Sequence, residues 1–196
     1  MTKKLNVLVA CEYSGRVRDA FIANGHNAIS VDLLETENPG PHFQGDIFEF
    51  ISQFPPNHFD LLIAHPPCTY LAVSGARHLH TEEGRWEKMF DALEFVKKLL
   101  ALPVNKIALE NPVSLISTWV RKADQTIQPW QHGTGETKAT CLWLENLPKL
   151  VPSNIVEGRE PKVWREPPGP NRSRTYLGVA KAMADQWGGG GIVDHD

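Results

Sequence analysis

The chain reads as a mixed α/β protein: an open, mostly parallel sheet that ends in an antiparallel hairpin and carries helices on both faces. Three observations predict it. Two short runs, Leu61-Leu62-Ile63-Ala64 and Lys106-Ile107-Ala108-Leu109, have the continuous apolar character of buried central strands. Pro66-Pro67, which cannot extend a hydrogen-bond ladder, follow the first, and the second ends in Glu110-Asn111-Pro112. An opening strand, glycine turn, helix and second strand, between Leu5 and Asp32, have the order of a βαβ unit.

Taken in order, Leu5 to Ala10 is the first strand, and Cys11-Glu12-Tyr13-Ser14-Gly15 turns the chain into a helix from Arg16 to about Asn24. Gly25-His26-Asn27 breaks that helix before a strand from Ala28 to Val31, which ends on Asp32. Pro39-Gly40-Pro41 marks a loop, and Gly45-Asp46-Ile47 sets another acid before a short helix. Strand 61–64 runs into a glycine-containing loop, Leu71 to Thr81, expected to cover the site. From Glu82 to Leu100 the residues Trp86, Phe90, Leu93, Val96, Lys97 and Leu100 recur at spacings of three and four. That pattern predicts a helix packed on the sheet with its aromatics in the core. After the strand to Glu110 come a helix over 114–122 and two strands, 126–131 and 139–144, around Gly133-Thr134-Gly135. A closing helix runs from about Tyr176 to Trp187.

With 196 residues, 41% of them apolar, the chain can bury one core, so residues 1–196 are expected to form a single domain. Within it, 147–175 is rich in proline and charge and reads as irregular, and 188–196 as a flexible tail. No apolar run approaches ~18 residues and no charged-then-apolar signal opens the chain, which predicts a cytoplasmic protein with no membrane contact. Cys11, Cys68 and Cys141 suit neither a disulfide framework nor a zinc site, so free thiols and no metal are expected. The net charge of −3 is not that of a dedicated nucleic-acid binder. Between Leu147 and Lys181, however, seven basic residues face three acids. This stretch is either a phosphate-binding patch or an ordinary solvated loop.

The prolines after Ala64 hold Cys68 just past the carboxyl end of a central strand, where open α/β sheets bind ligands. Glu110 ends the next strand in the same way. Each alone has a plainer reading, Cys68 as a small buried apolar residue and Glu110 as an acid at a helix start. Together they pair a nucleophile with a carboxyl group. The glycine turn after the first strand lets backbone approach a ligand, and Asp32 at the end of the second suits a pair of ribose hydroxyls.

In this order the motifs resemble the catalytic domain of DNA cytosine-5 methyltransferases. Tyr13-Ser14-Gly15 is similar to the family's cofactor turn, Asp32 to its ribose-holding acid and Gly45-Asp46-Ile47 to its adenine-reading segment. Pro66-Pro67-Cys68 matches the nucleophile motif, with Gly75 seven residues on, and Glu110-Asn111-Pro112 matches the glutamate-asparagine-valine motif except at its last position. The chain departs from the family at Val17 and Arg18, where further glycines are usual, at Thr69 in place of glutamine and at Ala72 in place of serine. Lys138 and Thr140 stand near the position of the family's paired arginines. The family's separate target-recognition domain is reduced to Pro148 to Arg174, as in the short members encoded by bacteriophages.

The resemblance implies a Rossmann-like, S-adenosyl-L-methionine-dependent methyltransferase sheet whose substrate is cytosine in single- or double-stranded DNA. Cys68 would add to carbon 6 of the base, and Glu110 would act on the ring nitrogen as a general acid, a role that calls for a raised pKa. Tyr13, Ser14, Gly15, Asp32, Asp46 and Pro66 would border the cofactor, and Asn111, Lys138, Arg172 and Arg174 the substrate. Asn111 is also suited to holding loop backbone. His65 reads either as a pocket-lining group or as a satisfied loop histidine. Two other functions fit the residues: methylation of a free pyrimidine nucleotide or another base on the same fold, and a silent module that binds DNA or protein.

Overall fold

The computed structural model describes residues 3–167, 169 and 172–189. Seven strands are formed among them: β1 (Asn6–Ala10), β2 (Asn27–Asp32), β3 (His42–Gln44), β4 (Leu61–Ala64), β5 (Lys106–Pro112), β6 (Gln125–Ile127) and β7 (Thr140–Glu145). They make one sheet in the order β3-β2-β1-β4-β5-β7-β6. The first five run parallel, while β7 is antiparallel to both β5 and β6. This is the sheet expected from the sequence, parallel with an antiparallel pair at one edge.

The chain builds outward from β1 through β2 to β3, then returns to lay β4 on the other flank of β1. The strand order therefore reverses between β1 and β4, and a crevice at their carboxyl ends is the site such a reversal creates. Register brings those ends level, since Ala10 pairs with both Val31 and Ala64, and Ala64 pairs with Leu109.

Each face of the sheet carries its own core, because successive side chains alternate between faces. On one face Leu8, Leu62, Ile107, Leu109 and Trp143 pack under α2 (Ile47–Ile51), α3 (Arg85–Leu100) and α4 (Ile116–Trp119). On the other, Val7, Val9, Leu61, Ile63 and Leu142 pack under Val17 and Phe21 of α1 (Arg16–Ala23) and Val179, Met183 and Trp187 of α5 (Leu177–Trp187). No helix among the described residues is long and apolar enough to cross a membrane.

Four local expectations need correction. Trp86 and Phe90 are not core residues: they are 38% and 44% exposed, and α3 instead buries Met89, Leu93, Val96 and Leu99. The two stripes share Leu93 and Val96, so spacing alone does not choose between them. The helix expected over 114–122 shrinks to the four residues of α4, while the covering loop contains a 3-10 helix, Val73–His80. The antiparallel pair begins and ends elsewhere than expected, and its connection holds a 3-10 turn at Pro129–Gln131. The irregular stretch lies along that connection, through bridges pairing His132 with Asn154 and Glu136 with Glu160. Of the expected tail, residues 190–196 lie outside the described residues.

Candidate active site

The first corner of the crevice is the turn between β1 and α1. Cys11 leaves the strand with φ 58°, and its amide and that of Glu12 both donate to the Val31 carbonyl, at 2.7 and 3.3 Å. The buried Glu12 carboxylate then accepts from the amides of Val17, at 2.7 Å, and Arg18, at 3.2 Å. It thus meets the amides that a helix start leaves without intrahelical partners. Burial, reinforced by the charges of Asp32 and Asp46, pushes the Cys11 thiol up to about 12. The thiol stays protonated, and its coupling to both acids marks these three residues as borders of one corner.

Arg18, which stands where the resembled family has glycine, is fully buried beneath this turn. Its guanidinium donates to Ser30, Thr36, the Asn38 carbonyl and the neighbouring Asp19. A Cβ at Gly15 or Gly40 would approach it to 2.4 or 2.8 Å, so those two glycines make the room that it occupies. Gly15 also takes φ +72°, which glycine adopts at little cost.

Asp32 ends β2, and one of its oxygens accepts from the Leu34 amide at 2.9 Å. Beyond it Leu33, next in sequence, is an apolar residue 72% exposed. Asp46 caps α2, accepting from the amides of Phe48 and Glu49 at 2.8 and 3.0 Å.

The second corner is built on β4 and β5. The Cys68 carbonyl accepts from the amides of Leu71 and Ala72, which curls the chain tightly just beyond Cys68. Asn111 donates to the Pro66 carbonyl at 2.8 Å, so it holds loop backbone. Arg85 lies 4.7 Å from the centre of the Tyr70 ring and donates to the Thr69 carbonyl. Burial and the charge of Glu110 push the Cys68 thiol up, against the opposing pull of Lys138 and Arg172.

Parallel pairing of β4 with β5 sets His65 beside Glu110, whose Oε2 lies 2.8 Å from Nδ1 of the ring. Both are well buried, with side chains 8% and 13% exposed. Burial pulls the imidazole pKa down and the carboxyl pKa up, but the hydrogen bond and charge of the partner outweigh it in each case. His65 is thereby held above its ordinary value and Glu110 below. The expectation of a raised Glu110 pKa is therefore corrected: the hydrogen bond and charge of His65 hold it below its ordinary value.

The third wall comes from late in the chain. Lys138 donates through Nζ to the Arg172 carbonyl at 2.8 Å and lies 5.9 Å from the Tyr176 ring. Three contacts bind the 173–175 segment to the first corner: Ser173 with the Tyr13 hydroxyl at 3.0 Å, Arg174 with the Glu37 carboxylate, and the Thr175 carbonyl with Arg16 at 2.9 Å. Of the residues expected to form the site, Tyr13 thus meets this segment, while Cys68 lies within electrostatic reach of Glu110, Lys138 and Arg172. Glu12 and Glu37 were not expected. An acid shortly before a helix start is a capping signal that could have revealed Glu12, whereas nothing in the sequence links Glu37 to Arg174.

No protein-family model matches the chain, and no curated protein matches its sequence. Among solved structures it is similar to the bifunctional kinase-methyltransferase WbdD, with TM-score 0.44 and 16% identity over 76% of this chain and 36% of that one. It is also similar to the Dnmt2 methyltransferase of S. pombe, with TM-score 0.43 and 16% identity over 83% of this chain and 54% of that one. The chain therefore spans between about a third and about half of the length of these proteins.

Proposed function

We propose that the protein is an S-adenosyl-L-methionine-dependent methyltransferase that methylates carbon 5 of cytosine in DNA through a covalent adduct with Cys68. The observation that carries this reading is the convergence of Cys68 and Glu110 from adjacent parallel strands, coupled through their charges beside the corner bordered by Cys11, Asp32 and Asp46.

The first corner discriminates among cofactors. In phosphate-binding α/β proteins the amides at the first helix start hold the anion. Here the Glu12 carboxylate already accepts from those of Val17 and Arg18, which disfavours a dinucleotide and suits a cofactor with a cationic centre and no phosphate. Asp32 would hold its ribose, exposed Leu33 would lie against its base, and Tyr13 to Gly15, Asp46 and Pro66 would border it. The cofactor supplies an electrophilic methyl group.

Carbon 5 of a pyrimidine is too poor a nucleophile to react unaided. Addition of the Cys68 sulfur to carbon 6 forms a C–S bond and drives the ring electrons towards N3, which takes a proton at the Glu110 side of the pocket. Carbon 5 then has enamine character. Loss of the carbon 5 proton after methylation expels Cys68 and restores the ring. A base in duplex DNA reaches Cys68 only when flipped from the stack. Arg172 and Lys138 flank the thiol and favour its ionised form.

The test is a mixed-sequence DNA in which 5-fluorocytosine replaces cytosine, incubated with S-adenosyl-L-methionine. The fluorine cannot leave as a proton does, so a protein–DNA adduct that survives denaturation is expected with the wild type and not with Cys68→Ser. Methyl transfer at an unchanged rate in Cys68→Ser would overturn the covalent route. Transfer to free nucleotides and not to DNA would overturn the substrate.

A further inference from the structure

We propose that His65 is the proton store of this site, a positioning residue that passes a proton through Glu110 to the substrate ring when Cys68 adds and recovers it when Cys68 leaves. The inference rests on the function proposed above and adds a residue to which that chemistry assigned no role.

Geometry supports it in three ways. The Nδ1 to Oε2 distance of 2.8 Å is that of a charge-assisted hydrogen bond and sets Nδ1 in line to exchange a proton with the carboxylate. The ring itself is held in place, because the His65 amide donates to the Ala10 carbonyl at 2.9 Å while β4 and β5 set its register against Glu110. Finally, Nε2 is buried without a hydrogen-bond partner among the described residues, so Glu110 is the one described side chain to which the ring can pass a proton directly.

Charges around the pair come from every neighbouring element. Glu12, in the turn after β1, favours the protonated ring, and Lys138, ahead of β7, disfavours it. Cys68 faces Glu110 from the turn after β4 and is itself faced by Arg172. An ionised Glu110 alone would repel the thiolate and offer the substrate no proton. With His65 protonated, the pair is neutral overall and holds one transferable proton.

The step balances. The Cys68 thiol first loses its proton to water, and its sulfur pair forms the bond to carbon 6. The pair between carbons 5 and 6 moves between carbons 4 and 5, and the C4–N3 π pair becomes a lone pair on N3. The proton on His65 Nδ1 passes to Glu110 as Glu110 hands one to N3, leaving a neutral imidazole and a carboxylate. Carbon 5 then takes the methyl group with its C4–C5 pair, and the N3 lone pair re-forms the C4–N3 bond. The carbon 5 proton leaves to water, its pair re-forms the C5–C6 double bond, Cys68 departs with the sulfur pair, and the N3 proton goes back to His65 by the same route.

Two measurements on the full chain decide the matter. The first needs no activity: imidazole nitrogen NMR of the free protein should show His65 protonated above its ordinary value of 6.5 in the wild type and released at lower pH in Glu110→Gln. A neutral His65 ring across pH 5 to 8 in the wild type would overturn the proposal. The second is the rate of adduct formation on the fluorocytosine DNA against pH. The wild type should give a bell, rising as Cys68 ionises and falling as His65 loses its proton. His65→Asn keeps a donor towards Glu110 but no titratable proton, so it should slow adduct formation about a hundredfold and abolish the falling limb. A wild-type rate and bell in His65→Asn would overturn the role of His65. Failure of the wild type itself to form an adduct would instead overturn the function, and the NMR titration would still decide the pair.

Discussion

The side-chain amide of Asn111 and the main-chain carbonyl of Pro66 are joined at 2.8 Å, so strand β5 holds the turn that carries Cys68. Asn111 is 1% exposed, and its removal strands the Pro66 carbonyl in a buried place. Asn111→Ala should therefore cost about 1–3 kcal/mol in urea unfolding. It should also slow adduct formation through misplacement of Cys68, while calorimetry finds the affinity for S-adenosyl-L-methionine unchanged. An unaltered adduct rate would show that the prolines alone place the thiol.

Asp32→Ala should have the opposite profile. Hydrogen bonds from ribose hydroxyls to a carboxylate are worth roughly 1.5 to 3 kcal/mol, which corresponds to a cofactor affinity about ten- to a hundredfold weaker. Stability should change little, since the Asp32 side chain accepts one local bond, from the Leu34 amide. A dissociation constant equal to that of the wild type removes Asp32 from the site.

For DNA, the two basic residues named in the sequence should not behave alike. Arg174 is engaged by Glu37, whose carboxyl it holds below the usual range, whereas Arg172 is close enough to Cys68 for its charge to favour the thiolate. If Arg172 meets a phosphate, Arg172→Ala should lower the slope of log affinity against log salt by about 0.7 to 0.9. Arg174→Ala should change it less, because Glu37 already offsets that charge. Anisotropy titrations over a range of salt would measure both, and equal slopes for the two variants would count against the assignment.

The pair of His65 and Glu110 also makes stability depend on pH. Glu110, held below its ordinary 4.5, adds stability that is complete above that value and lost as pH falls through the lowered one. His65, held above 6.5, adds stability that is complete below 6.5 and lost as pH rises through the raised one. Their joint contribution is thus full between pH 4.5 and 6.5. The difference in urea midpoint between wild type and Glu110→Gln should be largest in that window and shrink on both sides. A difference that is flat with pH would mean that the pair does not carry opposite charges.

The parallel strands were readable in the sequence because burial on both faces leaves an uninterrupted apolar run, and prolines mark where β4 ends. Strand β3 was not, since its three residues, half-exposed His42 and Phe43 and exposed Gln44, carry no such run. The stripe on α3 was misread because Trp86 lies in the first turn and faces outward with His80 and Phe90, which in turn meets Trp119. Cys68 could be picked out because it follows β4, and Glu110 because it stands near the carboxyl end of β5. Contact between His65 and Glu110, 45 positions apart, depends on which strands neighbour each other and in what register, and local patterns hold neither fact. Arg18 shows the same limit: a charged residue in an amphipathic helix gives no sign that two glycines, one of them beyond β2, will enclose it.

Tyr13 and Ser173, which meet across the first corner, are separated by 160 positions. A polypeptide leaves the ribosome from its amino end, so β1, α1 and β2 are free to form while the segment that will lie against their turn has still to be translated. Until then the corner stands unroofed. Completion of this corner thus waits on residues 160 positions downstream, and loss of α5 and the residues just before it would leave the seven-stranded sheet with an unfinished pocket.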